Sequence, residues 1–172
     1  MAIATLQCLK CTSTAAGTET DSSKNPCFLN ADIHSTDTST YPVAAPLTTG
    51  TTSWSYEVWL RWKVTAAPDN YIQNFKFYGP TSQPDTLIIL YDGTSQTATT
   101  PVQTNSTFAT GDQADLHNAV GNALTVPINE SGNQLDAINE KTDWLVLQYE
   151  VQFGAPQGSI ATQLFHVTYE EV

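Results

Sequence analysis

At 172 residues with 40% hydrophobic content, the chain is long enough for one good core and too short for two ordinary domains. Charged residues make up only 13%, while Thr, Ser, Asn and Gln are abundant, which is the surface of a many-stranded β protein or of an assembly whose faces are largely covered. A net charge of −11 and a pI near 4.3 exclude the usual nucleic-acid binder, which needs clustered cations; Lys10, Lys24, Arg61, Lys63, Lys76 and Lys141 form no cluster.

The opening MAIATLQCLK lacks the basic and apolar regions of a secretory signal, and nowhere do about 18 apolar residues run together. The sequence therefore predicts synthesis in the cytoplasm and no membrane partner. Ala2 to Leu9 reads as a short first strand. From Cys11 to Thr52 the chain is rich in Thr and Ser and interrupted by Pro26, Pro42 and Pro46, with Phe28 to Ile33 as one further short strand. Residues 1–52 are thus expected to form an irregular N-terminal arm, with Tyr41, Val43 and Leu47 pinning it to its own domain or to a neighbouring subunit.

Ser53 to Val64 (SWSYEVWLRWKV) is expected to be the central strand of a domain spanning residues 53–172. Its period of two sets Trp54, Tyr56, Val58, Leu60, Trp62 and Val64 on one side. Glu57, Trp59, Arg61 and Lys63 fall on the other. Trp59 stands out there as an indole on a polar row, and this row is the predicted contact surface for a partner.

After the AAPDN turn, Tyr71 to Tyr78 alternates again, with Tyr71, Gln73, Phe75 and Phe77 on one side, and is expected to close a hairpin with the central strand. Thr86 to Tyr91 is an apolar run that fits a strand buried on both faces, Asp92-Gly93 marks a turn, and Gln96 to Val102 reads as the returning strand. Gly111 to Leu124 is the single short helix the pattern allows, followed by a strand over Thr125 to Asn129 and a polar loop over Glu130 to Lys141. Asp143 to Phe153 and Ser159 to Tyr169 are strong alternating strands, and GAPQG between them predicts an antiparallel hairpin. The whole reads as an all-β antiparallel sandwich, jelly-roll-like in preference to immunoglobulin-like.

Chemistry-bearing groups are few. Cys8 and Cys11 form a CxxC pair which, with Cys27 and His34, supplies the four ligands of a structural zinc site; buried or free thiols, or a disulfide with one Cys left over, are the competing readings. No GxSxG, HExxH, P-loop or GxGxxG occurs, and His117 and His166 have no catalytic partner in sequence. Glu57, Glu150 and Glu170 are the carboxylates that a fold could bring together, but each alternates with apolar residues as a solvent-facing position would. The reading is therefore non-enzymatic, with no catalytic residues and no obligatory cofactor.

From Tyr71 onward, the segments YIQNFKFYG, LIILYDGTSQTATTPV, DWLVLQYEVQFGAPQG and HVTYEE resemble small β-sandwich virion proteins of tailed phages and related prokaryotic viruses. That resemblance implies a capsid, decoration or tail component of the virion that works by binding copies of itself and other virion proteins. The alternative is a sugar-binding or adhesion module, in which Trp59 and the tyrosines offer flat faces to a glycan.

Overall fold

The computed structural model describes residues 4–12, 18–21, 27–33, 39–79, 87–92, 103, 123–156 and 165–172. Nine strands are defined among them: β1 (Thr5–Thr12), β2 (Thr18–Asp21), β3 (Thr52–Trp54), β4 (Val58–Ala66), β5 (Ile72–Tyr78), β6 (Leu87–Asp92), β7 (Leu124–Thr125), β8 (Leu145–Gln152) and β9 (His166–Glu171). The expected helix over 111–124 and the strand over 96–102 lie almost wholly outside the described residues. A single 3-10 turn at Ser131–Asn133 is the one helical element among those described.

All pairings are antiparallel and divide into two sheets. In the first, of six strands, β2 pairs β1, β1 pairs β4, and β3, β4 and β6 all pair β8. The second has three strands in the order β7-β5-β9. Their facing side chains form one core that includes Val58, Leu60, Trp62, Val64, Leu145, Leu147 and Tyr149 from the first sheet and Ile72, Phe75 and Phe77 from the second. This is the β-sandwich that the alternating pattern predicts.

The central strand is broken in two. Thr52 to Trp54 pair with Gln152 to Glu150, whereas Val58 to Leu60 pair with Leu147 to Leu145, so β3 and β4 lie end to end along one edge of β8 with the register slipped by one residue between them. A slip of one moves every later side chain to the other face. Trp54 therefore shares a face with Glu150 and Trp59, not with Val58 as simple alternation predicts. Buried polar groups stitch the irregularity: Ser55 N–H donates to the Tyr149 carbonyl at 3.0 Å, the Tyr149 N–H donates to Ser55 Oγ at 3.0 Å, and Gln148 Nε2 donates to the Ser55 carbonyl at 2.9 Å. Gln148 and Ser55 are both sealed from solvent, and these bonds are what makes their burial affordable.

Two expected hairpins are not formed. β4 and β5 belong to different sheets, as do β8 and β9, so the AAPDN segment carries the chain from one sheet to the other and β9 is not the hairpin partner of β8. The outward row of β5 also differs from its simple alternation. Asn74 takes a left-handed conformation, φ 53°, where the pairing of β5 with β9 shifts, so that Ile72 and Phe75, three residues apart, both enter the core.

Residues before Thr52 also contribute to the first sheet. β1 is an integral strand between β2 and β4, with Ala4 and Leu9 buried, and Ala4 N–H donates to Glu171 Oε1 at 3.0 Å, tying the start of β1 to the end of β9. Phe28 to Ile33 is not a strand; its residues run irregularly, with Leu29 buried and Phe28 stacked on Tyr149 at 5.3 Å. Residues 39–51 do form an irregular extended segment, the part of the predicted arm that the structure retains. The polar loop 130–141 is anchored by Leu135, fully buried and exchanging two backbone hydrogen bonds with Ile72.

Candidate contact surface

β4 shows its second row, Trp59, Arg61 and Lys63, with Glu57 just before it, to the face of the first sheet that looks away from the second sheet. That face is not bare. Trp59 is 0% exposed and Glu57 1%, and Trp59 joins Cys11, Trp144 and Val146 in a separate buried apolar cluster. The indole Nε1 of Trp59 donates to Glu57 Oε2 at 2.9 Å, and its ring meets Trp144 edge-on at 6.1 Å. The expectation of an indole open to a partner is therefore overturned: the chain itself covers it.

Arg61 and Lys63 are both half-buried, and Arg61 is engaged within the chain. The Arg61 guanidinium lies 4.3 Å from the centre of the Trp144 ring and pairs with Glu19 Oε1, while Lys141 Nζ pairs with Glu19 Oε2 at 2.7 Å. One carboxylate on β2 thus holds two cations. Burial lowers the Arg61 pKa, opposed by the nearby Cys11 and Asp143, and burial also lowers that of Lys141, helped by repulsion from Arg61. Lys63 pairs with Lys141 across an isolated backbone bridge, which brings the segment carrying Lys141 alongside β4.

The CxxC pair does not converge. Cys8 pairs with Trp62 and Cys11 with Trp59, so the two thiols leave β1 on opposite faces, Cys8 toward the main core and Cys11 into the outer cluster. Residues three apart on an extended strand point to opposite faces, so Cys8 and Cys11 do not present a common pair to a metal, the pair on which the zinc reading of Cys8, Cys11, Cys27 and His34 rests. Cys27 is half-buried beside Lys10, and His34 lies outside the described residues. No group of three or more His, Cys, Asp or Glu side chains among the described residues has metal-binding geometry.

Lys10 is the functional-looking group that sequence reasoning missed. It is 3% exposed on the core face of β1, and its ammonium donates to the Ile33 carbonyl at 2.9 Å. Burial lowers its pKa, opposed by Asp32 and Cys27. Its geometry is that of a clamp holding residues 27–33 against the sheet. Glu57 and Glu150 share the outer face of the first sheet, whereas Glu170 lies on β9 of the other sheet, so the three carboxylates do not meet.

The arm supplies the surface that remains. Tyr41 to Leu47 reads YPVAAPL, apolar throughout. Val43 and Ala45 pack on the main core, and the Asn30 N–H donates to the Tyr41 carbonyl at 3.2 Å, fixing the segment in place. Pro42 and Ala44 face outward, and Leu47 is 90% exposed. Of the predicted contact residues, then, Tyr41 and Val43 are the anchors and Leu47 is presented to the outside. No helix among the described residues is long and apolar enough to cross a membrane. Comparison with family models, with curated proteins and with solved structures finds nothing that matches this chain.

Proposed function

We propose that this chain is a non-enzymatic virion structural protein, a capsid, decoration or tail component that works by associating with copies of itself and with neighbouring virion proteins. The observation that carries the reading is Leu47, held 90% exposed by an apolar arm whose alternate residues are seated on the sandwich. Fully burying a leucine is worth about 1.5–3 kcal/mol, and its own fold leaves this one in water. Pro42 and Pro46 restrict the backbone on either side, so little further ordering is lost when a neighbour covers the arm. The low charge density and the resemblance of the strands from Tyr71 onward support the same reading.

The sugar-binding alternative loses the residue it first rested on, because a fully buried Trp59 has no free ring face. Since β1 lies inside the sheet, deleting residues 1–52 removes a structural strand and does not test the arm. A point change at its outward residue does. Leu47→Asp is expected to abolish self-association measured by light scattering while leaving the melting temperature unchanged; a wild-type chain that stays monomeric overturns the proposal.

A further inference from the structure

Two exposed apolar tips stand at one end of the first sheet. Leu47 leads into a turn closed by the Thr51 N–H on the Thr48 carbonyl at 3.2 Å, after which Thr52 opens β3 and pairs with Gln152 of β8. Phe153 follows Gln152 directly and lies in a second turn, closed by the Ala155 N–H on the Gln152 carbonyl at 3.1 Å. Leu47 is 90% exposed and Phe153 43%. Where β3 begins and β8 ends, two turns thus hold a leucine and a phenylalanine in water. We infer that a second copy of this chain covers this end, the Leu47 and Phe153 turns of each copy meeting the same turns of the other about a two-fold axis. This contact rests on the assembly proposed above and gives it a surface and a symmetry.

The distribution of charge selects the occupant. Stretches 39–56 and 151–165, which carry the two turns, contain no Asp, Glu, Lys or Arg, in a chain with a net charge of −11. The opposite end is acidic. Asp69 lies on the link from β4 to β5, Asp136 follows the Leu135 that is bonded to Ile72 at the start of β5, and Glu170 and Glu171 close β9. All four are exposed, and the Ala4 N–H on Glu171 places the end of β9 beside the start of β1, where Thr5 pairs with Ala66. Copies meeting by their acidic ends repel, and a head-to-tail contact sets apolar tips against carboxylates that need water. Neutral end against neutral end covers the tips and keeps the acidic ends farthest apart. Such a contact uses one patch twice and closes as a dimer.

Both tips are fixed in advance. Gly50 and Gly154, each the third residue of its turn, hold positive φ values of 78° and 87°, and Ala155 anchors the second turn in the main core. Little further ordering is therefore lost on contact. Ile138 makes the contrast: it is 56% exposed at the acidic end, with Asp136 and Glu140 two residues away on either side.

Sedimentation equilibrium of the purified full chain reads stoichiometry and affinity together. The wild type is expected to level at twice the 18.7 kDa of one chain and to grow no further as concentration rises. A two-fold contact loses a substituted side chain twice, so Phe153→Ser should weaken the dimer at least about tenfold and Phe153→Asp should abolish it. Phe153 lies outside the main core, so both variants should melt as the wild type does; the serine variant decides if the aspartate lowers the melting temperature. Ile138→Asp should leave the dimer intact. A wild type that is monomeric at every concentration overturns this contact together with the assembly proposal, and if that monomer floats with phosphatidylcholine vesicles while Phe153→Asp does not, lipid is what covers the end. An oligomer that Leu47→Asp breaks and both Phe153 variants leave intact overturns the contact alone. So does a mass that keeps growing beyond two copies, or a dimer that Ile138→Asp breaks.

Discussion

Trp59 donates its indole Nε1–H to Glu57 Oε2 at 2.9 Å, and neither side chain reaches solvent. Glu57 ends the irregular link just before β4 and Trp59 is the second residue of that strand, so the hydrogen bond fastens the link to the outer face of the sheet. The indole's apolar area is covered by Cys11, Trp144 and Val146. Trp59→Ala is therefore expected to lower the unfolding free energy by about 3–5 kcal/mol in urea denaturation. A loss below about 1 kcal/mol would mean that the indole is not core at all.

Glu19 reaches across to Arg61 and Lys141, and the three side chains are each about a quarter exposed. Partly exposed pairs contribute little singly, but two cations share this one carboxylate. Glu19→Gln should cost about 1 kcal/mol at low ionic strength and progressively less as salt is added. An effect that salt leaves unchanged would assign the loss to packing.

Asn74 holds a positive φ of 53° at the irregularity in β5, and its side-chain amide donates to Glu170 Oε2 at 2.6 Å. An alanine there keeps neither advantage, so Asn74→Ala is expected to destabilise by about 1–2 kcal/mol, and Asn74→Gly by less because glycine accepts the backbone conformation. Equal losses for the two variants would show that the hydrogen bond, and not the backbone, decides.

Burial pushes the Tyr149 phenol up to about 12 from an ordinary value of 10.0. The unfolded chain thus releases this proton before the folded chain does. Its contribution to stability is fully present below about pH 10 and is lost as pH rises from there toward 12. Urea titrations across this range should show stability falling, and Tyr149→Phe should flatten the slope. A fall that persists unaltered in the variant would assign the titration to another group.

The strands were largely legible because a period of two survives in this chain wherever one face is apolar: Val58, Leu60, Trp62 and Val64 on β4, and Leu145, Leu147, Tyr149 and Val151 on β8, all enter the core as read. Which strand pairs with which was not legible. Alternation is the same whether a neighbour in sequence joins the same sheet or crosses to the other, and the AAPDN turn does not distinguish a hairpin from a crossover. The slip at Ser55 to Glu57 was hidden because Trp54 and Tyr56 keep the apolar alternation running through it. Its signature lies elsewhere, in Gln148, a polar residue on a strand otherwise buried throughout, which serves the carbonyl that the slip exposes.

The contact surface was legible only in part. Glu57 looked solvated because charged residues usually are, yet it accepts from Trp59 inside the chain, and Arg61, read as a contact residue, pairs with Glu19. The clue was Trp59 itself, matched by Val146 on β8 and Cys11 on β1: three apolar residues on outward rows that only the register brings together. In the arm, Tyr41, Val43 and Ala45 alternate as seated residues, but Leu47, read as a third pinning residue, turns outward because the alternation breaks at Pro46.

The most direct measurement is the mass of the purified chain by size-exclusion chromatography with multi-angle light scattering, across a concentration series, for the wild type and for Leu47→Asp. Self-association through the arm predicts a defined oligomer for the wild type and a folded monomer for the variant. A wild type that remains monomeric at every concentration, or an oligomer that Leu47→Asp leaves intact, contradicts it.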